Sequence, residues 1–416
     1  MGGESQPRRG GKTLGNPQKC CKRSTAVLPA ARIDAPLATA YRDPIQTALN
    51  AAPGTDAMNL KDLADLLGLS PTTVSRALNG FPEVAEATRK RVEEAAQLHH
   101  YRPNTQAKRL ATGRAMAIGH VIPLCSQHEI VNPVFADFIA GAGEVYAREG
   151  YDMVLISVPV EDHAQAYREL RAKRNVDGVI VHAPRAGDGR IALLHELGLP
   201  FVVHGRASGV DLPYAYVDVN NARAFERATN FLLDLGHRRI ALLNGVEGMD
   251  FALRRQRGFA RAFAARGLEP DPSLMIAGEM TEAQGHDAAC DMLRRADPPT
   301  AFITASLLSA VGVRRGLWEL GLRMGRDVSI LTHDDELGYF RNGAEEPIFT
   351  ATRASVREAG RRCASLLLDM IATPDMATDM APATQLMEAV LVLGASTGPA
   401  PDRSVPPMTT AQGLPL

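Results

Sequence analysis

A chain of 416 residues is too long for one ordinary domain, so two or three are expected. Hydrophobic residues at 45% and charged residues at 22% are the proportions of a soluble globular protein, and no apolar run approaches a membrane span. Net charge near −1 excludes a chain that is basic throughout, so any nucleic-acid footprint must be local.

Residues 1–57 are rich in Gly, Pro, Ala and basic side chains without a sustained period. They are expected to form a disordered leader, because so little apolar surface cannot offset ordering entropy. Met58 opens the first periodic segment. It is either the translation start, with the leader an upstream misread, or the end of a flexible basic arm. No apolar core follows the early basic residues, which argues against a signal peptide and for a cytoplasmic location. Five scattered cysteines lack C-x-x-C spacing. That pattern argues against both a disulfide framework and a zinc site.

Leu60, Leu63, Ala64 and Leu67 recur as one helical stripe, and Gly68 suits a left-handed terminus. Ser70 is then an N-cap and Pro71 a first helical residue, giving a second helix from Pro71 to Leu78, stopped by Asn79-Gly80. Two short helices joined this tightly make a helix-turn-helix. Val74, Ala77 and Leu78 can face inward, which leaves Thr72, Thr73, Ser75 and Arg76 mostly outward. Hydroxyls and one arginine on a short helix suit base edges and phosphates, although a solvated helical hairpin can carry the same residues. A third helix follows from about Ala85 to His99, then Tyr101-Arg102-Pro103-Asn104 and a short helix over Thr105–Ala111. Between Met58 and Ala115 nine basic residues face six acidic ones, a local +3.

From Met116 to about 395 apolar strands alternate with amphipathic helices. Strands are expected at Ile118–Pro123, Tyr151–Val158, Gly178–His182, Pro200–His204, Arg239–Asn244, Ala301–Ala305 and Val328–His333, with helices at Val134–Arg148, Ala222–Leu235 and Leu307–Leu320 among them. Such alternation predicts an α/β core of parallel sheets flanked by helices. Polar residues directly after apolar runs are the candidate ligand contacts. These are His204 and Arg206, Ser306, and His333-Asp334-Asp335, joined by Arg255 after the Gly245–Phe251 loop. His204 and His333 could equally be satisfied core histidines, and Asp334 a turn cap. Trp318 fits a packed or subunit-contacting helix face better than a sugar platform.

The run Met58-Asn-Leu-Lys-Asp-Leu-Ala, Gly-Leu-Ser70-Pro-Thr-Thr-Val-Ser-Arg76-Ala-Leu-Asn79-Gly, Thr88-Arg89, Tyr101-Arg-Pro-Asn104 and Leu110-Ala resembles the lactose/galactose-repressor (LacI/GalR) family, and the likeness extends to about residue 395. It implies a helix-turn-helix headpiece over 58–103, a hinge helix and linker over 104–115, and a two-lobed core like a periplasmic binding protein over 116–395, followed by a flexible tail at 396–416. It implies a homodimer that holds a double-stranded palindromic operator. DNA contacts would come from Pro71, Thr72, Thr73, Ser75, Arg76 and Asn79, and from Asn104, Lys108 and the groove wedge Leu110. A small effector, a sugar or glycoside in the favoured reading, would be held by Arg255 and Asp334 with Phe135, His204, Arg206, Ser306 and His333. Gln106, His99 and Ala85 depart from the family pattern. So does Ser306-Leu307, which lacks an amide that commonly reads ligand hydroxyls.

No catalytic constellation, metal spacing, cofactor or phosphate loop is evident, so an enzyme is not expected. A periplasmic-type transport component, an activator and a regulator with a nucleobase corepressor are the alternatives.

Overall fold

Asn59 sets the start of the first helix. Its side chain accepts from the backbone N–H of Lys61 and Asp62, while Asp62 accepts from the Asn59 N–H, a reciprocal cap. The computed structural model describes residues 58–78, 80–99, 101, 113–123, 132–159, 162–373 and 382–402. The leader 1–57, Asn79, the hinge residues Asn104, Gln106, Lys108 and Leu110, and the end of the tail lie outside the described residues. The chain divides into two compact units, the first ending at Arg102 and the second starting at Pro103.

In the first unit, helices α1 (Leu60–Leu67), α2 (Pro71–Leu78) and α3 (Glu86–Leu98) close over Leu63, Ala64, Val74, Ala77, Val92 and Ala96. Gly68 takes the left-handed conformation, φ 64°, at the end of α1. Ser70 Oγ accepts from the Thr73 N–H at 3.0 Å and starts α2. Ala85, as its side chain dictates, precedes α3 without a side-chain cap. Leu98 is 75% exposed, and Tyr101 packs against the core instead. Two of the counted basic residues hold helices together: Arg89 donates to the Phe81 carbonyl at 2.9 Å and Arg91 to the Leu67 carbonyl.

The second unit contains two six-stranded sheets. The first lobe is built from β1 (Ala117–Pro123), α4 (Pro133–Glu149), β2 (Asp152–Val158), α5 (His163–Lys173), β3 (Gly178–Val181), α6 (Gly189–Leu197), β4 (Phe201–His204) and β5 (Ala215–Val219). The second is built from α7 (Asn221–Asp234), β6 (Ile240–Asn244), α8 (Asp250–Ala264), β7 (Met275–Ala277), α9 (Glu282–Leu293), β8 (Ala301–Thr304), α10 (Leu307–Glu319), β9 (Ser329–Asp334) and β10 (Thr350–Arg353). The chain then returns through α11 (Val356–Ala372) and β11 (Thr384–Met387) to the first lobe and ends its sheets with β12 (Val390–Val392) in the second. Strand order is β11-β5-β4-β3-β1-β2 in one sheet and β12-β10-β9-β8-β6-β7 in the other. Pairing is parallel throughout except at β12, which runs antiparallel to β10.

Each sheet is covered on both faces, so its central strands are apolar along their whole length. In the first lobe, Val202 and Ile180 pack under α4 and α11 while Val179 and Val203 face α5 and α6. In the second, Leu242 and Leu331 face α7 and α8, while Phe302 and Ile330 face α9 and α10. Arg357 on α11 locks onto Asp137 of α4 at 2.6 Å, fixing the returning helix. Residues 396–402 depart from the expected flexible tail. Ser396 is fully buried, donating to the Ile330 carbonyl at 2.5 Å and accepting from the Thr350 N–H at 2.8 Å. Gly398 bonds His237 and Ser329. Strand-end groups of β9 and β10 gain partners this way, so the segment is held.

Candidate effector cavity and DNA-reading helix

The first sheet turns its strand ends towards a cavity of about 190 Å³, whose lining comes from both lobes. On the first-lobe side, β3 and β4 deliver His182 and His204 at their ends, and α4 contributes Phe135 and Phe138. His204 stacks on Phe138 with centroids 4.3 Å apart, and His182 meets Phe135 and Phe138 edge-on. Behind them His120 bonds His182 at 2.9 Å and Tyr146 at 3.1 Å. Burial pulls His204 down to about 4 and His120 to about 3, and His182 well below its ordinary range. The imidazoles are therefore neutral at physiological pH, forming an uncharged aromatic wall with hydrogen-bonding edges.

Charge comes from both lobes. β5 carries Asp218 as its penultimate residue, and its carboxylate takes the Arg206 Nε–H at 2.7 Å. Burial raises the Asp218 carboxyl, and Arg206 opposes the rise. Asn221 at the start of α7 donates to Asp218 at 3.3 Å and accepts from Arg255 Nε at 2.8 Å. Arg255 also donates to the Ala305 carbonyl at 2.8 Å and lies over the rings of Phe225 and Phe251, 5.0 and 4.9 Å from their centroids. Burial lowers its guanidinium to about 10, which leaves it charged at neutral pH. Gly258, one turn on, permits this placement, since a Cβ there would fall 2.0 Å from the Ala222 carbonyl oxygen. At the end of β9, Asp335 joins His333 in the lining. Desolvation pushes the Asp335 carboxyl up to about 6, against the pull of Arg255.

Phe135, His204, Arg206, Arg255 and His333 thus share one cavity with Asp335. Two expected contacts do not. Asp334 is buried on the other side of the strand end, accepting from Arg353 Nε at 3.1 Å and from the Glu336 N–H at 2.9 Å. Strand alternation turns the next residue, Asp335, inward in its place. Ser306 is committed as a helix cap, donating to the Met280 carbonyl at 3.0 Å and accepting from the Ser309 N–H at 3.2 Å. It lines a second chamber of about 280 Å³ with Val246, Met249, Glu279 and Leu308. Both chambers share Asn132, Val134, Ala183, Phe251, Met280 and Asp335. Asp218, Asn221, His182 and Phe138 are lining residues that sequence reasoning missed. The alternation Ala215, Val217, Val219 was the available signal for the strand that ends beside the first two.

In the headpiece, α2 buries Val74 and Ala77 and leaves Pro71, Thr72 and Arg76 exposed. Thr73 is half-buried, its hydroxyl 2.8 Å from Ser70 Oγ, and Ser75 is also half-buried. The free edge of the helix is therefore Thr72 and Arg76. Residues 59–104 match the model of bacterial regulatory proteins of the lacI family, and residues 117–386 match that of periplasmic binding proteins and the sugar-binding domain of the LacI family.

The chain belongs to the LacI family.

This LacI-family chain is a DNA-binding transcription regulator and not an enzyme. It is 43% identical over 355 residues to the transcriptional regulator AglR of Rhizobium meliloti, covering 85% of this chain and 98% of AglR. It is 37% identical to RafR of Escherichia coli over 67% of this chain and 82% of RafR. Among solved structures, the CelR–cellobiose complex shares 29% identity at a TM-score of 0.60, with 82% and 99% of the two chains covered. The lac repressor dimer bound to operator and the anti-inducer ONPF shares 25% identity at 0.64, with 82% and 100% covered. No helix among the described residues of this LacI-family regulator is long and apolar enough to cross a membrane.

Proposed function

We propose that this regulator is a dimeric, cytoplasmic repressor of a palindromic operator, released by a glycoside of at least two sugar rings. The observation that carries the reading is the pairing, in one cavity, of Arg206, Asp218, Arg255 and Asp335 with the rings of Phe135, Phe138 and Phe251. Guanidinium and carboxylate groups can each grip two neighbouring hydroxyls, while the C–H faces of a pyranose need aromatic or aliphatic surface. The polar set would take the first ring. The adjoining chamber, walled by Val246, Met249 and Leu308, supports a further unit beyond it. A single ring would leave that apolar space unfilled.

Ligand held between Arg206 and Asp218 of the first lobe and Asn221, Arg255 and Asp335 of the second would close the lobes. We infer that closure separates the two hinge segments of a dimer, melts their helices and weakens operator binding. The CelR–cellobiose complex and the operator-bound lac repressor dimer are in keeping with such ligands and assembly. The test is a thermal-shift screen of mono- and disaccharides beside nucleobases, followed by operator titration with each stabilising compound. A disaccharide should raise the melting temperature most and weaken operator binding. Stabilisation by a nucleobase with tighter operator binding would overturn the reading in favour of a corepressor.

A further inference from the structure

Helices α9 and α10 pack backbone against backbone. A Cβ at Gly312 would fall 1.9 Å from the Glu282 carbonyl oxygen, and one at Gly285 would fall 2.1 Å from that of Ser309. This approach brings together three side chains with metal-binding chemistry, none of which lines either chamber. His286 and Cys290 are four residues apart on α9 and so share one face of that helix, and Glu319 closes α10. His286 Nε2 is 2.9 Å from Glu319 Oε2 and 3.6 Å from Cys290 Sγ, and one donor atom from each residue lies within 4.8 Å of the others.

We propose that His286, Cys290 and Glu319 form an inter-helix site for a thiophilic divalent transition-metal ion, with zinc the best fit. The separations fit the ion. With zinc about 2.0–2.1 Å from nitrogen and about 2.3 Å from sulfur, a tetrahedral site places the two donors roughly 3.5 Å apart. The Glu319 oxygen, within 4.8 Å of the other two donors, must adjust to complete the tetrahedron, and its side chain is 42% exposed. One thiolate, one imidazole and one carboxylate select borderline metals, whereas calcium and magnesium require oxygen donors throughout. Asp287 supplies the partner that metal-bound histidines usually have. Its Oδ1 is 2.8 Å from His286 Nδ1, which donates to it, while Nε2 donates to Glu319 in the metal-free chain and becomes a ligand once that proton leaves.

Arg315 bridges Glu282 at 3.2 Å and the other Glu319 oxygen at 3.8 Å, holding Oε1 while Oε2 is available, and its charge limits the affinity. On binding, Cys290 releases its thiol proton and His286 any proton shared with Glu319, both to the buffer. The fourth position is open to water. The linear cysteine pattern gave no hint of this set, because its members come from two helices brought together only by the fold.

The test uses the untagged full-length chain, stripped of metal and titrated with Co²⁺ and then Zn²⁺. One Co²⁺ per chain is expected, with tetrahedral visible bands, a thiolate-to-cobalt charge-transfer band, and displacement by Zn²⁺. Trp318, the sole tryptophan and 73% exposed beside Glu319, should lose emission as Co²⁺ binds. Cys290→Ser should abolish the charge-transfer band. Glu319→Gln, at an exposed position that leaves the fold intact, should weaken binding at least about 10-fold, and Asp287→Asn by about 10-fold through the outer partner. Absence of stoichiometric binding, or a charge-transfer band that persists in Cys290→Ser, would overturn the proposal.

Discussion

Asp335 concentrates the conflict between stability and binding in a single carboxyl. Its pKa rises from an ordinary 3.8 to about 6 in the folded chain. A raised acid contributes stability that is present below 3.8 and lost as the pH climbs through about 6, a swing worth roughly 3 kcal/mol. Asp335→Asn should therefore melt higher than the parent at pH 7, with the difference vanishing towards pH 4, and it should bind sugar far more weakly. Melting curves across pH check the first expectation and calorimetry the second. Sugar affinity of the parent should itself fall as the pH drops below about 6, because a protonated carboxyl loses acceptor capacity. The sequence put the acid at this strand end but chose the neighbouring Asp334, since the side a residue faces depends on where β9 stops, and no local pattern fixes that. Arg76, by contrast, was legible at once, because the periodicity of an eight-residue helix determines what its exposed edge carries. Arg76→Ala should lose about 1–3 kcal/mol of discrimination between operator and random DNA while retaining salt-sensitive binding, measured by competition titration.

Elements whose cues are local agree closely with the sequence reading. The second helix spans Pro71–Leu78 as expected, because cap, proline and glycine lie within a few residues of one another. The apolar strands Phe201–His204 and Ala301–Thr304 fall within a residue of their expected limits. β5 was missed because Ala215, Val217 and Val219 alternate with Tyr216 and Asp218 over only five residues, beside a proline. That short strand carries Asp218 and leads into Asn221, so half of the charged wall went unseen with it. Close helix approaches are also invisible in a linear reading. At Gly258 the crossing of α7 and α8 leaves no room for a side chain, although Gly258 itself needs no special backbone conformation. Gly258→Ala should displace α8 against α7, destabilise the chain by about 1–3 kcal/mol in urea unfolding, and weaken sugar binding through the shift of Arg255.

At the scale of the whole molecule, the proposed repression cycle makes sugar and operator competitors without a shared site. Linkage then requires that operator weaken sugar binding by the same factor by which sugar weakens operator binding, expected in the range of about 5–150-fold. Fluorescence titration of sugar with and without a saturating duplex measures the factor directly, and unequal factors would contradict a two-state coupling. The α/β character of the core was evident from alternation alone, whereas the pairing of β11 with β5 and of β12 with β10 links segments more than a hundred and about forty residues apart, respectively.

That interleaving has a consequence for biosynthesis. The helix covering Ile180 and Val202 of the first lobe is α11, and the edge strand of the same sheet is β11, both made after the entire second lobe. Synthesis up to residue 219 therefore yields a half-clad sheet, one face of which carries α4 but waits some 140 codons for α11. Shielding during that interval, by trigger-type chaperones or by translation speed, becomes part of what the gene must secure, and a fragment cut at Arg353 should precipitate where the full chain does not.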